Sequence, residues 1–134
     1  MNKKSIDYGY ELIINASGCD PSIMNRKKLT QFIDELCIQI DMNKALVPYF
    51  WDEENGGSTP EPHLKGTSVF QFIETSNIVI HTLTILEVVF LNIFSCKKFD
   101  RKVAEQFVKD FFAAKHIDSQ LIKRTYVTSL RERN

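Results

Sequence analysis

Apolar residues recur along this chain in two rhythms. Between Tyr8 and Ile14 (YGYELII) they fall at every second position, with Tyr8, Tyr10, Leu12 and Ile14 on one side. That is the period of a strand. Asn15–Asp20 reads as a turn pivoting on Gly18. Asp20-Pro21 has the form of a helix start, a carboxylate that caps free amides before a proline at the first helical position. Leu29, Phe32, Ile33, Leu36, Cys37 and Ile40 then recur at three and four, which is one apolar helix stripe. Ala45–Trp51 predicts a second strand, which Pro48 confines to an edge or shortens. Asp52–Lys65 (DEENGGSTPEPHLK) has paired glycines and two prolines and reads as a loop. Three apolar strands are predicted next, at Ser68–Ile73, Ile78–Thr82 and Glu87–Phe94. The last of them is apolar on both faces. Lys98–His116 predicts a second helix, capped by Asp100, with Val103, Phe107, Phe111 and Ala114 on its stripe. Residues 121–130 suggest a final, loosely patterned strand.

The order β-α-β-β-β-β-α-β predicts an α+β fold: one antiparallel sheet with two helices packed on one face. Two helices cover only one side of such a sheet. The strands are apolar on the other side too, so a second sheet is expected there, most simply that of another copy in a homodimer packed sheet to sheet. The whole chain, 1–134, reads as a single domain.

Composition narrows the function classes. Seventeen basic residues balance seventeen acidic ones, so no global field favours nucleic acid or an anionic membrane. The local basic run from Lys123 to Arg133 reads as a solvated terminus. Ile78–Phe94 contains His81 and Glu87 and is too short for a membrane span, so it reads as two buried strands. Met1–Tyr10 has two lysines but no apolar core behind them, unlike a secretory signal. Three cysteines, Cys19, Cys37 and Cys96, form neither a disulfide framework nor a zinc spacing, which fits a reducing, cytoplasmic setting. Cys37 lies on the helix stripe and reads as a core thiol. His63 near Glu61 is too sparse a set to predict a metal.

The candidate chemistry lies in Gly66–Cys96, where Ser68, Ser76, His81 and Cys96 interrupt long apolar runs. Buried polar groups in such runs are hydrogen-bonded or serve chemistry. Ser76 and His81 are five apart. On one regular strand they would face opposite sides and lie about 16 Å apart. They can share a site only if the chain bends between them, and Thr75-Ser76-Asn77 is the natural place for a bend. Residue types alone leave ordinary strand residues as an open alternative.

This stretch resembles the prokaryotic S-adenosylmethionine decarboxylases, which are pyruvoyl-dependent. Gly66-Thr67-Ser68, Thr75-Ser76-Asn77, Ile80-His81-Thr82 and Phe94-Ser95-Cys96 carry the resemblance, in order and without a gap in spacing. Gly9 with Leu12, and Gly18-Cys19-Asp20, are similar to the family's opening. The resemblance implies the family's α/β sandwich and a proenzyme that cuts itself at Thr75–Ser76, giving chains 1–75 and 76–134. Ser76 would become the pyruvoyl group, the self-derived cofactor. Ser68 and His81 would assist the cleavage, His81 as acid and base. The pyruvoyl ketone would form a Schiff base with the amine of a small-molecule substrate and accept the electrons left by CO₂. Cys96 would return a proton to the substrate carbon. The implied activity is decarboxylation of S-adenosylmethionine for polyamine (spermidine) synthesis.

Two departures from the family pattern bear on this. The residue before the cleaved serine is usually Glu and here is Thr75, with Glu74 one place earlier. The acid that helps to hold the substrate ribose is replaced by Ile85, whose side chain accepts no hydrogen bond, although Glu87 follows two residues later. Asn77, in place of the usual His, is a milder change. Three readings follow: the S-adenosylmethionine enzyme; a pyruvoyl decarboxylase of another amino acid such as ornithine or arginine; and an uncleaved homologue acting as a binding or regulatory subunit. A Cys96–His81 hydrolase is a distant fourth.

Overall fold

The computed structural model describes residues 3–52 and 61–129. Six strands form one antiparallel sheet: β1 (Lys3–Ser17), β2 (Tyr49–Asp52), β3 (Thr67–Ile73), β4 (Ser76–Leu83), β5 (Val88–Ser95) and β6 (His116–Ser129). Their spatial order is β2-β3-β4-β5-β1-β6. Two helices, α1 (Arg26–Gln39) and α2 (Arg101–Phe111), complete the fold. The predicted order of elements is therefore the observed one.

The boundaries differ for local reasons. Asp20 caps only a single 3-10 turn, Pro21–Ile23, by accepting from the Ser22 amide at 2.9 Å. The helix proper begins after a second cap, Asn25, which accepts from the Lys28 amide at 3.0 Å. The predicted second strand is only four residues long, because it starts after Pro48, and it forms one edge of the sheet. The predicted helix Lys98–His116 is shorter at both ends. Asp100 occupies the cap, accepting from Lys102 and Val103, and Ala113 turns into the left-handed region at φ 50°. The last strand is longer than residues 121–130, since His116 already pairs with Ser17 and the ladder continues to Lys3–Ser129. An edge strand with little burial needs no strict alternation, which hid this element in the pattern.

The helices cover one face. Leu12, Ile14, Ile78, Ile80 and Ile93 are fully buried there, against Leu29, Phe32, Leu36, Val108 and Phe112. Phe32 meets the rings of Phe107, Phe111 and Phe112 at centroid distances of 5.4, 5.1 and 4.8 Å. Each such side chain contributes roughly 1.5–3 kcal/mol by leaving water. Tyr8 departs from the predicted face. A bulge between Asp7 and Gly9 breaks the alternation, and the Tyr8 ring stacks on Phe94 at 5.8 Å. The other sheet face carries Phe72 and Phe90 at 53% and 40% exposure, with no element among the described residues over them.

Candidate functional site

The two polar sets of Gly66–Cys96 come to rest at opposite ends of the β3–β4 hairpin. Ile73 pairs with Ser76, so Glu74 and Thr75 form a two-residue turn. Ser68 pairs with His81 five rungs away. On one strand, residues 76 and 81 are about 16 Å apart. Ser76 is buried on the helix-covered side, whereas His81 lies on the open face. The chain does bend, but before Ser76 and not between Ser76 and His81. The expectation that a bend unites them within one chain is therefore corrected.

At the turn, three predicted residues meet. Thr75 has φ +58°, a conformation that costs a β-branched residue of order 1–3 kcal/mol. The Glu74 amide donates to the Asn43 carbonyl at 3.2 Å, which ties the turn to the segment after α1. Cys96, just beyond β5, donates its amide to Ser76 Oγ at 3.3 Å. Its Sγ lies 2.8 Å from Thr75 Oγ1. A cleft of about 140 Å³ beside Ser76 is lined by residues that include Asp41, Glu74, Ser95 and Lys97. Lys97 Nζ is held by the Asp41 carboxylate at 2.8 Å, and this pairing lowers the Asp41 pKa.

At the other end, Ser68 Oγ and His81 Nδ1 share a hydrogen bond of 2.8 Å across the ladder. They border a cavity of about 470 Å³ with Trp51, Leu64, Gly66 and Leu83. A methyl group at Gly66 would sit 1.7 Å from the Thr82 carbonyl oxygen, so only glycine allows the strands to close here. A larger cavity, about 790 Å³, runs along β2 between Arg26 and Asp52 and includes none of the predicted site residues.

The remaining candidates separate from the site. Cys37 is buried, as its place on the stripe predicts, and burial raises its pKa. Cys19 is buried too, and burial pushes its thiol up to about 11. Glu87 lies close enough to Cys19 to add to that rise. Glu87 is not on the predicted strand but in the turn before β5, at φ +55°, so it does not face His81 by strand parity. Ile85 stands 62% exposed in the same turn. His63 and Glu61 approach to 3.9 Å, and no group of three metal-ligating side chains occurs among the described residues. No helix among them is long and apolar enough to cross a membrane. Most of the predicted Asp52–Lys65 loop, residues 53–60, lies outside the described residues.

Sequence reasoning missed two contributors. Gly9 sits beneath the site, where an added Cβ would be 2.0 Å from the Ser95 carbonyl oxygen and 2.8 Å from Cys96 Cα. A glycine inside a strand pattern is the signal that could have shown such a close approach. The hydroxyl of Thr75 had no sequence signal, because its contact depends on the turn.

A family model described as S-adenosylmethionine decarboxylase matches residues 10–125. This chain belongs to that family. No curated protein matches it. The crystal structure of the adenosylmethionine decarboxylase from Aquifex aeolicus VF5 is similar in fold, with a TM-score of 0.69 at 16% identity. That likeness covers 88% of this chain and 91% of that one. The family match encloses both ends of the hairpin and both helices, and the shared fold is the six-stranded sheet with two helices described above.

Proposed function

We propose that this member of the decarboxylase family is a self-processing, pyruvoyl-dependent enzyme whose reactive centre is the Thr75–Ser76 turn, with S-adenosylmethionine as its first-choice substrate. The observation that carries this reading is the strained turn itself, which places a serine hydroxyl after a left-handed Thr75 and beside Cys96. These residues fit the precursor of a pyruvoyl group, because the chemistry needs only a serine and a peptide bond under strain.

In processing, Ser76 Oγ attacks the Thr75 carbonyl carbon. The C–N bond breaks as the C–O bond forms, and the hydroxyl proton passes to the nitrogen. Loss of the Ser76 α-proton then expels the Thr75 carboxylate from Cβ. The dehydroalanine left behind takes up water and releases ammonia. A pyruvoyl group formed in this way supplies an electron sink for an amine substrate that loses CO₂. Cys96 Sγ lies beside that terminus and holds the proton that the product carbon requires.

The Ser68–His81 pair sits too far from Ser76 within one chain to assist this cleavage. The cleft at Ser76 is too small for a nucleoside, while the cavity at His81 is within the usual range for ligands. Two copies joined through their open faces, and turned end for end, would lay the His81 end of one over the Ser76 end of the other. The proposed homodimer thus supplies both the missing cover and the missing acid and base.

A second reading has its own support. Ile85 and the displaced Glu87 leave no carboxylate at the family's ribose position. This favours a smaller amine such as ornithine or arginine with the same chemistry.

Intact mass under denaturing conditions, beside a Ser76→Ala control, tests the processing. Two fragments split at Thr75–Ser76, with a pyruvoyl terminus on the second and an uncut control, are expected. A wild-type chain that stays whole over days would overturn the enzyme reading and favour a binding or regulatory subunit. For the cleaved protein, CO₂ release from S-adenosylmethionine, ornithine and arginine separates the two substrate readings.

A further inference from the structure

The contact between Thr75 Oγ1 and Cys96 Sγ has a direction. A threonine hydroxyl has one proton to give and lone pairs to receive. The Thr75 proton goes to the Glu74 carbonyl oxygen at 2.6 Å. The 2.8 Å contact to Cys96 therefore runs the other way, with the thiol S–H donating to Thr75 Oγ1. From this geometry we infer that Thr75 is a positioning residue for Cys96: its hydroxyl accepts the S–H hydrogen bond and fixes Sγ beside the Thr75–Ser76 bond.

Both partners are held independently of this bond. The Thr75 backbone is set by the two-residue turn and its left-handed φ. The Cys96 backbone is set by the close approach of Gly9 beneath it, a contact that does not depend on the Ser76 hydroxyl. The nearby cation, Lys97, is committed to the Asp41 carbonyl and carboxylate at 2.7 and 2.8 Å. The chemical meaning lies in where the S–H points. An acceptor at that hydrogen orients the sulfur, so a side chain from the bond to be cut aims the donor for the later reaction. This assignment rests on the reading of Cys96 as proton donor.

The test uses the full chain with Ser76→Ala, which stays uncut, so its outcome depends on neither cleavage nor turnover. The rate of iodoacetamide labelling at Cys96 is read at neutral pH by peptide mass spectrometry. Thr75→Val keeps the branched shape and removes the acceptor. It is expected to label roughly threefold to tenfold faster, the range one hydrogen bond commands. Thr75→Ser restores a hydroxyl and is expected to stay within about twofold of the parent. Should the valine variant not fold, as labelling of Cys19 and Cys37 would show, Thr75→Gly suits the backbone and must be fast in its place. Unchanged labelling without the hydroxyl, or a serine variant as fast as the variant without it, overturns the assignment. Failure of the enzyme reading would show separately, as a wild-type chain that never cuts.

Discussion

The two faces of the sheet are built from the same strands and have opposite fates. On one, Ile78, Ile80, Leu91 and Ile93 are sealed under α1 and α2. On the other, one residue along each strand, Phe72, Phe90 and His81 meet solvent. Alternation alone cannot cause the difference, because both sets are rich in apolar residues. The cause is the number of helices: two amphipathic elements suffice for one face only. The covered face explains why the chain folds. The open face holds the cavity and the Ser68–His81 pair, and no described element covers its apolar residues.

The sharpest test of this contrast is a truncation in the sealed face. Phe32→Ala should lose about 3–5 kcal/mol, read as a lower urea midpoint. A loss below about 1 kcal/mol would mean that the helix side is not a packed core. The next effect concerns association. Sedimentation velocity should give twice the 15.5 kDa chain mass for the wild type, and Phe90→Glu should return it to the single chain. A wild-type monomer at all concentrations would leave the open face without its proposed partner. Thiol labelling of the native protein comes third. Cys96 should react at least about tenfold faster than Cys19 and Cys37, which are buried on the helix side. Cys19 also gives a pH signature. Its thiol ionises near its ordinary 9.0 when unfolded and near 11 when folded, so the unfolded chain binds fewer protons between those values. Stability should therefore fall as pH rises from about 9 to about 11, and a Cys19→Ala variant should lose the Cys19 share of that slope, leaving the part that buried Cys37 contributes. The smallest expected change is Phe72→Ala on the open face, under about 1 kcal/mol for a monomer. A larger loss that grows with protein concentration would instead show this residue at an interface.

Most of the architecture was legible because burial writes itself into periodicity. The α1 stripe from Leu29 to Ile40 and the apolar runs of β3, β4 and β5 are all selected by contact with the core. What misled the pattern was local. Asp20 is a true cap, but of one short turn. The first half of β6 is an edge strand whose exposed positions carry no apolar signature. Tyr8 shifts face because a bulge adds one residue to the count. The site was readable in its residue types and not in its distances. Ser76 and His81 stand apart because the turn falls at Glu74-Thr75, and spacing along a chain does not reveal on which side of a serine the strand reverses. Ile85 and Glu87 were visible as changes, but only the turn geometry shows that Glu87 leaves the strand for Cys19.

The order of strands has a consequence for the self-cleavage proposed above. Residues 1–75 supply β1, α1, β2 and β3, and residues 76–134 supply β4, β5, α2 and β6. In the sheet, β1 lies between β5 and β6, clasped on both edges by strands of the other piece. Beyond the Glu74-Thr75 turn, β3 zips to β4. The halves are thus interleaved like fingers of two hands, and no plane divides them without tearing a central strand from both neighbours. Breaking one peptide link at the hairpin tip would free two new ends for chemistry while costing the sheet none of its ladders. The same logic marks residues 75 and 76 as a place where the protein could begin and end, if its present termini were joined.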